Sequence, residues 1–536
     1  MTDVLENNFM ELYPELEQSL QNASFIAIDA EFTGINAEEH LKYSLFDTLD
    51  DRYQKLRRNI KSFIIVQFGI TVFQHDLRNN GYNAECFNFY LLPRSMPFKN
   101  RQFTWQVAAL EFLSTHNFDF NKFAYFGISY LDQIEEQLLK QELQNDNFME
   151  NLNHLSYQEG NDFKECKSKV SEWLETDQNG MSLELLTASP ILQYMVHKEL
   201  RNNFENIWTI SGPQMVIVTR VSKNVRQALE AESGNTLNET LLDTYIGFSK
   251  IFKLLTSLKK PIIGHNVLLD LMFMHQQFYR PLPSDYNTFK SNINTLFPQI
   301  YDTKFLSFEL RKVLNKEANW RVNSLSTIYE YFQNNTGKYL VFNSPSITLN
   351  DTSLEKKSYH NAGWDAYFAG YIFVKIAYIF TVKKYGEGLQ YKSVTHSELM
   401  SSVKCFVNCI NVARGNEIYT NLDGSDPIFT RPEWLHVKMK SPCLNIKQVA
   451  ETFSSFGQVD VMPFARKRVL VAVANRKSAV AILHHFQNND KLQVARYSPI
   501  RHATPSKFIL WSGIALSSGI VAWMIHRIFK KSVQID

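Results

Sequence analysis

The stretch Ser24-Phe25-Ile26-Ala27-Ile28-Asp29-Ala30-Glu31-Phe32 decides how this chain is read. It is an apolar run interrupted near its end by two acids two residues apart. Residues at that spacing on a strand point to one face, so Asp29 and Glu31 converge while Ala30 turns away. Two carboxylates held together in an apolar setting repel each other unless a cation or a proton intervenes. The same conflict recurs downstream. Asp270 ends Gly264-His265-Asn266-Val267-Leu268-Leu269-Asp270 and is flanked by Leu268, Leu269, Leu271 and Met272. Asp365 follows His360 by five residues in His360-Asn361-Ala362-Gly363-Trp364-Asp365, just inside a helix start.

Taken singly, each residue has an ordinary explanation. Asp29 and Glu31 suit a solvated strand end, Asp270 the exposed side of a short helix, Asp365 the positive end of a helix dipole, and His360 a surface position. Taken together, they suit a site in which two divalent cations about 4 Å apart share Asp29 and hydrolyse a phosphodiester. Asp29, Glu31, Asp270 and Asp365 would be the metal ligands, and an all-oxygen set suits Mg²⁺ or Mn²⁺ better than zinc. One ion would activate water and the other would steady the leaving 3′-oxygen. His360 would orient or deprotonate the attacking water, because its ordinary pKa lies near working pH.

The bulk composition bounds the alternatives. A chain of 536 residues is too long for one core, so two to four domains are expected. A hydrophobic share of 44% with 40 Phe and 24 Tyr excludes a disordered chain. The net charge of +2 leaves any nucleic-acid partner to local patches. Lys55, Arg57, Arg58 and Lys61 form one candidate patch, Arg466, Lys467 and Arg468 another, with Arg476 and Lys477 close behind; each also suits a solvated face. Five scattered cysteines without a Cys-x-x-Cys pair disfavour a zinc ribbon. The acidic start lacks both a secretory core and an Arg-rich presequence, which points to a reducing, cytosolic body.

Along the chain, 24–30, 63–73 and 85–91 read as strands, while 103–116 and 131–143 have helical spacing. The polar, Asn-rich stretch 144–162 marks a boundary. A small α/β insert at 161–238 follows, built from 163–174, 183–204 and the strand-like 214–220. It separates a first part of the catalytic domain, 1–160, from a second part, 239–400. In the second part 241–258 reads as a helix, 261–264 as a short strand turning into the helix of Asp270, and 359–380 as a long helix. From 430 to 498 the pattern becomes βαββαβ, the ferredoxin-like order used by RNA-recognition modules.

Residues 508–525 are 18 uncharged, mostly apolar residues. As a helix they would rise about 27 Å, enough for a thin bilayer. Lys507 flanks one end, His526, Arg527, Lys530 and Lys531 flank the other, and Trp511 and Trp523 lie near the two ends. A buried C-terminal helix is the competing reading. A tail anchor with this short span and basic flank suits the mitochondrial outer membrane, with the endoplasmic reticulum as runner-up, and leaves the catalytic part facing the cytosol.

The order Asp29-x-Glu31, Asp270, His360-x₄-Asp365 resembles the DEDDh 3′→5′ exonucleases of the ribonuclease H-like fold. The strings Ile28-Asp29-Ala30-Glu31-Phe32-Thr33-Gly34, Gln67-Phe68-Gly69, Phe118-Asp119-Phe120-Asn121-Lys122, Asp302-Thr303-Lys304 and His360-Asn361-Ala362-Gly363-Trp364-Asp365 resemble the poly(A)-specific ribonuclease family over about residues 20–400. Two departures stand out. The Arg-x₃-His signature that the family carries in its insert is absent, Gln193-x₃-His197 being the nearest spacing, and the strand at 468–473 lacks stacking aromatics. The hydrophobic tail adds a resemblance to that family's membrane-anchored branch. That implies Mg²⁺-dependent trimming of pre-piRNA 3′ ends while bound to PIWI proteins, with a Tudor-KH membrane adaptor and release of 5′-monophosphates. Two readings stay open beside it: a deadenylase of messenger or small RNA tails, and a catalytically silent membrane-bound RNA scaffold. The oligomeric state, a homodimer included, is not fixed by sequence.

Overall fold

The apolar run containing Asp29 is the strand Phe25–Phe32, inside a mixed seven-stranded sheet. Phe25, Ile26, Ala27 and Ile28 are all buried, as a strand covered on both faces requires. Its neighbours differ in kind. Ile65–Asp76 lies antiparallel beside it and pairs onward with antiparallel Gly81–Tyr90, whereas Ile262–Gly264 and then Ile300–Asp302 run parallel to it and to each other. Thr2–Val4 and Ile347–Leu349 add to the sheet through Gly81–Tyr90. Asp29 and Glu31 thus lie in the second half of a strand whose parallel neighbour leads straight into the turn carrying Asp270. Ligand sites in sheets with parallel strands form outside those carboxyl ends.

The computed structural model describes residues 1–35, 41–96, 98–145, 155, 157–175, 182–187, 189–212, 214–233, 236–314, 323–350, 357–386, 393–428, 430–440, 445–498, 521 and 523. The apolar stretch 508–525 therefore lies outside the described residues apart from two positions, as does most of the linker that precedes it. Among the described residues, one helix is long and apolar enough to cross a membrane: Ala362–Tyr385. Its most apolar 18-residue window is 83% buried, and the helix packs into the core of the first and larger part of the chain.

That helix lies on the strands because two glycines let it. A Cβ on Gly69 would sit 1.9 Å from the carbonyl oxygen of Ala362, and one on Gly370 would sit 2.1 Å from the Phe73 ring. With no Cβ in the way, Phe373 packs edge-on against Phe25 at 5.3 Å and Tyr367 stacks over Phe73 at 6.2 Å. The helix begins at Ala362 rather than at 359, because His360 takes a left-handed φ of 62° and Asn361 caps the Trp364 N–H. The periodic stretch 241–258 is likewise two helices, Thr236–Ile246 and Ser249–Leu258. Gly247 breaks them at φ 41°, where a Cβ would meet the Ser129 carbonyl at 2.2 Å. The predicted helix at 103–116 shortens to Val107–Thr115, since Thr104 and Gln106 give their N–H groups to Ser62 and Thr33 instead.

Residues 157–220 comprise the helix Tyr157–Glu175, the strand Leu183–Leu186, the helix Pro190–Asn203 and the strands Ile207–Gly212 and Met215–Arg220. The three strands form one antiparallel sheet with Met215–Arg220 in the middle. Leu192, Leu200, Ile207 and Val218 share a core with Leu139, Leu241 and Tyr245. His197 is buried, bonded to Thr209 at 2.8 Å and Ser211 at 2.9 Å, and Gln193 is spent on the carbonyls of Gly212 and Met215. Both side chains of the Gln193-x₃-His197 spacing hold the sheet to its helix.

The chain forms two compact units, one of Met1–Lys42, Tyr53–Val412 and Tyr419–Asp426, the other of Tyr43–Arg52, Ala413–Ile418 and Pro427–Asp536. The second unit contains the strands Leu435–Met439, Val459–Ala465, Arg468–Val473 and Leu492–Arg496 and the helices Ile446–Ser454 and Arg476–His485. The sheet is antiparallel, with Arg468–Val473 and Leu435–Met439 in its centre. Val437, Val469, Val471 and Val473 face Val449, Phe453 and Ile482 of the helices. The other face is closed as well: His436, Leu470 and Ala472 are only 6%, 3% and 2% exposed. Leu45, from the segment Tyr43–Arg52, is buried, and its N–H donates to Asp460 on that face at 2.6 Å; Arg414 pairs with the same carboxylate at 2.9 Å. The sequence pattern alone places residues 43–52 with the first part of the catalytic domain, 1–160.

Gly69→Ala should destabilise the protein by about 3 kcal/mol, since the added methyl meets backbone and forces strand and helix apart. Denaturant melting would measure this, and an unchanged midpoint would contradict the packing described.

Candidate active site

The five sequence-selected residues arrive on three kinds of support. Asp29 and Glu31 come from the strand Phe25–Phe32, paired across to Gly69 and Gln67, with the register shifting just after Glu31. Asp270 comes from the first turn of the helix Leu268–Met274, and Asp365 from the first turn of Ala362–Tyr385. His360 precedes that helix in its left-handed turn, and its N–H donates to the Asp365 carboxylate at 3.1 Å. Ligand atoms of Glu31, His360 and Asp365 lie within 4.8 Å of one another. Asp29 feels the charges of Asp365, Asp270 and Glu31, and Glu31 those of Asp365 and Asp270. The fold gathers all five.

Burial and mutual repulsion dominate the electrostatics. Burial, then Asp365, Asp270 and Glu31, lift Asp29 well above the usual carboxylate range. Glu31 is lifted well above it by burial and then by Asp365 and Asp270. Burial raises Asp270 to about 8 against the opposing pull of backbone N–H groups, with Asp302 adding to the rise. It raises Asp365 to about 7, against the N–H of His360. One oxygen of Asp365, Oδ1, is buried with no hydrogen-bond partner. An orphaned carboxylate oxygen among three further acids is the donor set of a hard divalent cation, so Mg²⁺ or Mn²⁺ fits these residues. His360 is lowered by burial and then by His116, which keeps its ring neutral and able to accept a proton.

Three further residues hold the site, and no sequence pattern assigns them a role. Gln67, buried in the neighbouring strand, accepts the Ala362 N–H at 2.9 Å and ties the helix start to the sheet. Asp302, fully buried, takes the N–H groups of Asn266 at 2.9 Å, Val267 at 3.3 Å and Asn411 at 2.9 Å, fixing the turn that leads to Asp270. A polar residue inside an apolar strand is the signal that marks both. His116 packs its ring 4.1 Å from that of His360, with Phe112 against both, and nothing in the sequence points to that contact. His265, inside the Gly264–Asp270 string, is buried against Thr303 and the Asn323 carbonyl, and burial drives it down to about 3, so it is a neutral structural group.

A family model described as CAF1 family ribonuclease matches residues 4–373. The pre-piRNA 3′-exonuclease trimmer of Bombyx mori is 34% identical over 534 residues, covering 98% of this chain and 99% of that protein. The poly(A)-specific ribonuclease PNLDC1 of Mus musculus is 30% identical, covering 98% of this chain and 99% of its own length. Among solved structures, S. pombe Pop2p in its Mg²⁺- and Mn²⁺-bound form aligns at 14% identity with a TM-score of 0.35, covering 70% of this chain and 91% of that one.

The raised acids set a pH dependence. An acid whose folded pKa lies above its unfolded value of about 4 binds its proton more tightly when folded. Without a cation its stabilising contribution is full below about pH 4 and is lost as pH rises through the folded value, about 8 for Asp270. The chelated protein should therefore melt at lower temperature as pH rises from about 5 to about 8, and Mg²⁺ should restore more of the loss at the upper end. Calorimetry with and without chelator measures this; melting independent of both pH and Mg²⁺ would contradict the clustering.

Proposed function

Because the chain belongs to the CAF1 family of ribonucleases and is a 3′→5′ exoribonuclease, we propose that it trims the 3′ ends of pre-piRNAs in a Mg²⁺-dependent reaction. The observation that carries the chemistry is the meeting of Asp29, Glu31, Asp270 and Asp365, with Asp365 Oδ1 left without a partner. Those four carboxylates would hold the metal, which when bound would supply an activated water and charge stabilisation at the leaving 3′-oxygen. The protein's own groups then have defined tasks. The ring of His360 accepts the proton of the attacking water, and His116 and Phe112 restrict how that ring turns. The His360 N–H holds the second oxygen of Asp365. Gln67 and Asp302 keep the supporting turns in place, so the acids need not reorganise as charge develops. The products are nucleoside 5′-monophosphates and an RNA shortened from its 3′ end.

The substrate assignment is supported by the end-to-end similarity to the silkworm trimmer. Deadenylation of poly(A) tails is the second reading, favoured by the name of the similar mouse protein. The address and partners belong to the same proposal. Residues 508–525 would anchor the chain in the mitochondrial outer membrane, with the endoplasmic reticulum as the other candidate, and the catalytic part would face the cytosol beside PIWI-bound substrate and a Tudor-KH adaptor. Residues 430–498 would be a ferredoxin-like module whose outer sheet face, closed by His436, Leu470 and Ala472, does not stack bases.

Asp29→Ala and Asp365→Ala should each lower Mg²⁺-dependent trimming of PIWI-loaded RNA by roughly 10³-fold or more, while far-UV circular dichroism stays native. Wild-type activity in either variant would discredit the site. Running mixed-sequence RNA beside oligo(A) decides the substrate, and a strong preference for free oligo(A) would favour the deadenylase. Removing residues 508–536 should move the protein from the membrane pellet to the supernatant with its nuclease activity retained; a truncated chain that still pellets would remove the anchor.

A further inference from the structure

Asp270 has the shortest support of the four acids. Its helix, Leu268–Met274, is seven residues long and starts at Val267 with no side-chain cap. A helix of two turns does not hold itself in place, so the turn before it sets where the carboxylate lies. Within that turn Asn266 takes a left-handed φ of 64°. Asparagine tolerates this region better than most residues, yet it needs surroundings that hold it there.

Part of that hold comes from far along the chain. The hairpin of Cys409–Asn411 and Tyr419–Asn421 belongs to the first unit, though it lies outside residues 4–373 that the family model covers. Its Asn411 is buried and grips the turn twice. The backbone N–H donates at 2.9 Å to Asp302 Oδ2, the oxygen that also accepts from Val267. The side-chain amide donates to Asn266 Oδ1 at 2.6 Å, while the Asn266 N–H donates to Asp302 Oδ1. Asp302 thus fixes the main chain of the left-handed residue, and Asn411 fixes its side chain.

The hairpin has other moorings. Asn408 donates its N–H to the Ile300 carbonyl at 2.8 Å and accepts the Ile300 N–H on Oδ1 at 2.9 Å. Its amide donates to the Pro298 carbonyl at 2.9 Å. Thr420 meets the Tyr286 hydroxyl, and Asp426 pairs with Lys290 at 3.0 Å. Deleting the Asn411 amide would therefore leave the hairpin docked and release Asn266. The effect falls on the turn, and through the turn on Asp270.

We propose that Asn411 is a positioning residue for Asp270 and sets how tightly the site holds its cation. The inference rests on the reading of Asp270 as a metal ligand. A ligand binds best when its supports already hold it in the productive geometry. Losing a group one step removed from a ligand weakens metal affinity by roughly 10–100-fold. Asn411 occupies that place with respect to the turn of Asp270, although some 145 residues separate it from Asn266.

The test is Mn²⁺ binding to the full-length, RNA-free chain, followed by loss of the free-ion EPR signal. Asn411→Ala and Asn266→Gly are each compared with wild type. Glycine adopts positive φ freely, so the second variant removes the same hydrogen bond without straining the turn. Each should bind Mn²⁺ about tenfold more weakly. The double variant should lose no more than either single one, since both delete one contact. Tyr286→Phe removes a hydrogen bond that moors the same hairpin; it should lower the melting temperature and keep wild-type Mn²⁺ affinity. In trimming assays Asn411→Ala should lower kcat at limiting Mn²⁺, leave KM for RNA unchanged and recover in excess Mn²⁺. Wild-type affinity in Asn411→Ala, additive losses in the double variant, or an equal loss in Tyr286→Phe would overturn the positioning role and leave the metal site standing. Should Asn411→Ala fail to fold, Asn266→Gly decides by the same criterion. A wild-type chain without Mn²⁺ affinity would remove the site and this inference with it.

Discussion

The mutual repulsion of four crowded carboxylates, two buried (Asp270 and Asp365) and two half-buried (Asp29 and Glu31), is the constraint on which the structure turns. Asp29, Glu31, Asp270 and Asp365 each lose water on folding, and Asp365 and Asp270 raise the free energy of charging Asp29 and Glu31. No core-building logic places them there. Isolated, such a cluster would protonate or push its supports apart. Rigid scaffolding on every side holds the acids together, and a counter-charge in the middle would relieve their repulsion.

The scaffolding is visible in the packing. Gly69 admits the first turn of Ala362–Tyr385 to within contact of the strand, which puts Asp365 beside Glu31. Gln67 and Asp302 then satisfy backbone N–H groups that the two supporting turns would otherwise leave bare. The helix itself is apolar all round and buried, so its position is fixed by the whole core and not by the site. Rigid elements carry the acids, and short turns aim them. Hydrolysis of a phosphodiester gains from that arrangement because charge develops where the surroundings are already set.

Much of this is legible in the sequence where a local rule applies. The two-residue spacing of Asp29 and Glu31 in an apolar run gives strand, shared face and electrostatic conflict at once. Asp270 and Asp365 stand out because apolar neighbours make an acid conspicuous. What the sequence hides is long-range. Gln67 and Asp302 are conspicuous as polar residues in apolar strands, but what they hold is known only from their partners, some 295 and 36 residues away. The contact of His116 with His360 joins separate elements with no shared pattern. The break at Gly247 follows from a close approach to Ser129, and the grouping of Tyr43–Arg52 with the second unit from hydrogen bonds to a sheet some 415 residues on. Periodicity reports what a segment buries, not which segment buries it.

On this reading the carboxylate cluster holds divalent cations. Anomalous diffraction from crystals soaked in Mn²⁺ addresses it directly. Strong manganese peaks are expected between Asp29, Glu31, Asp270 and Asp365, with one manganese bonded to Asp365 Oδ1. A well-ordered site in saturating Mn²⁺ with no anomalous density, its acids hydrogen-bonded to one another through protons, would contradict it.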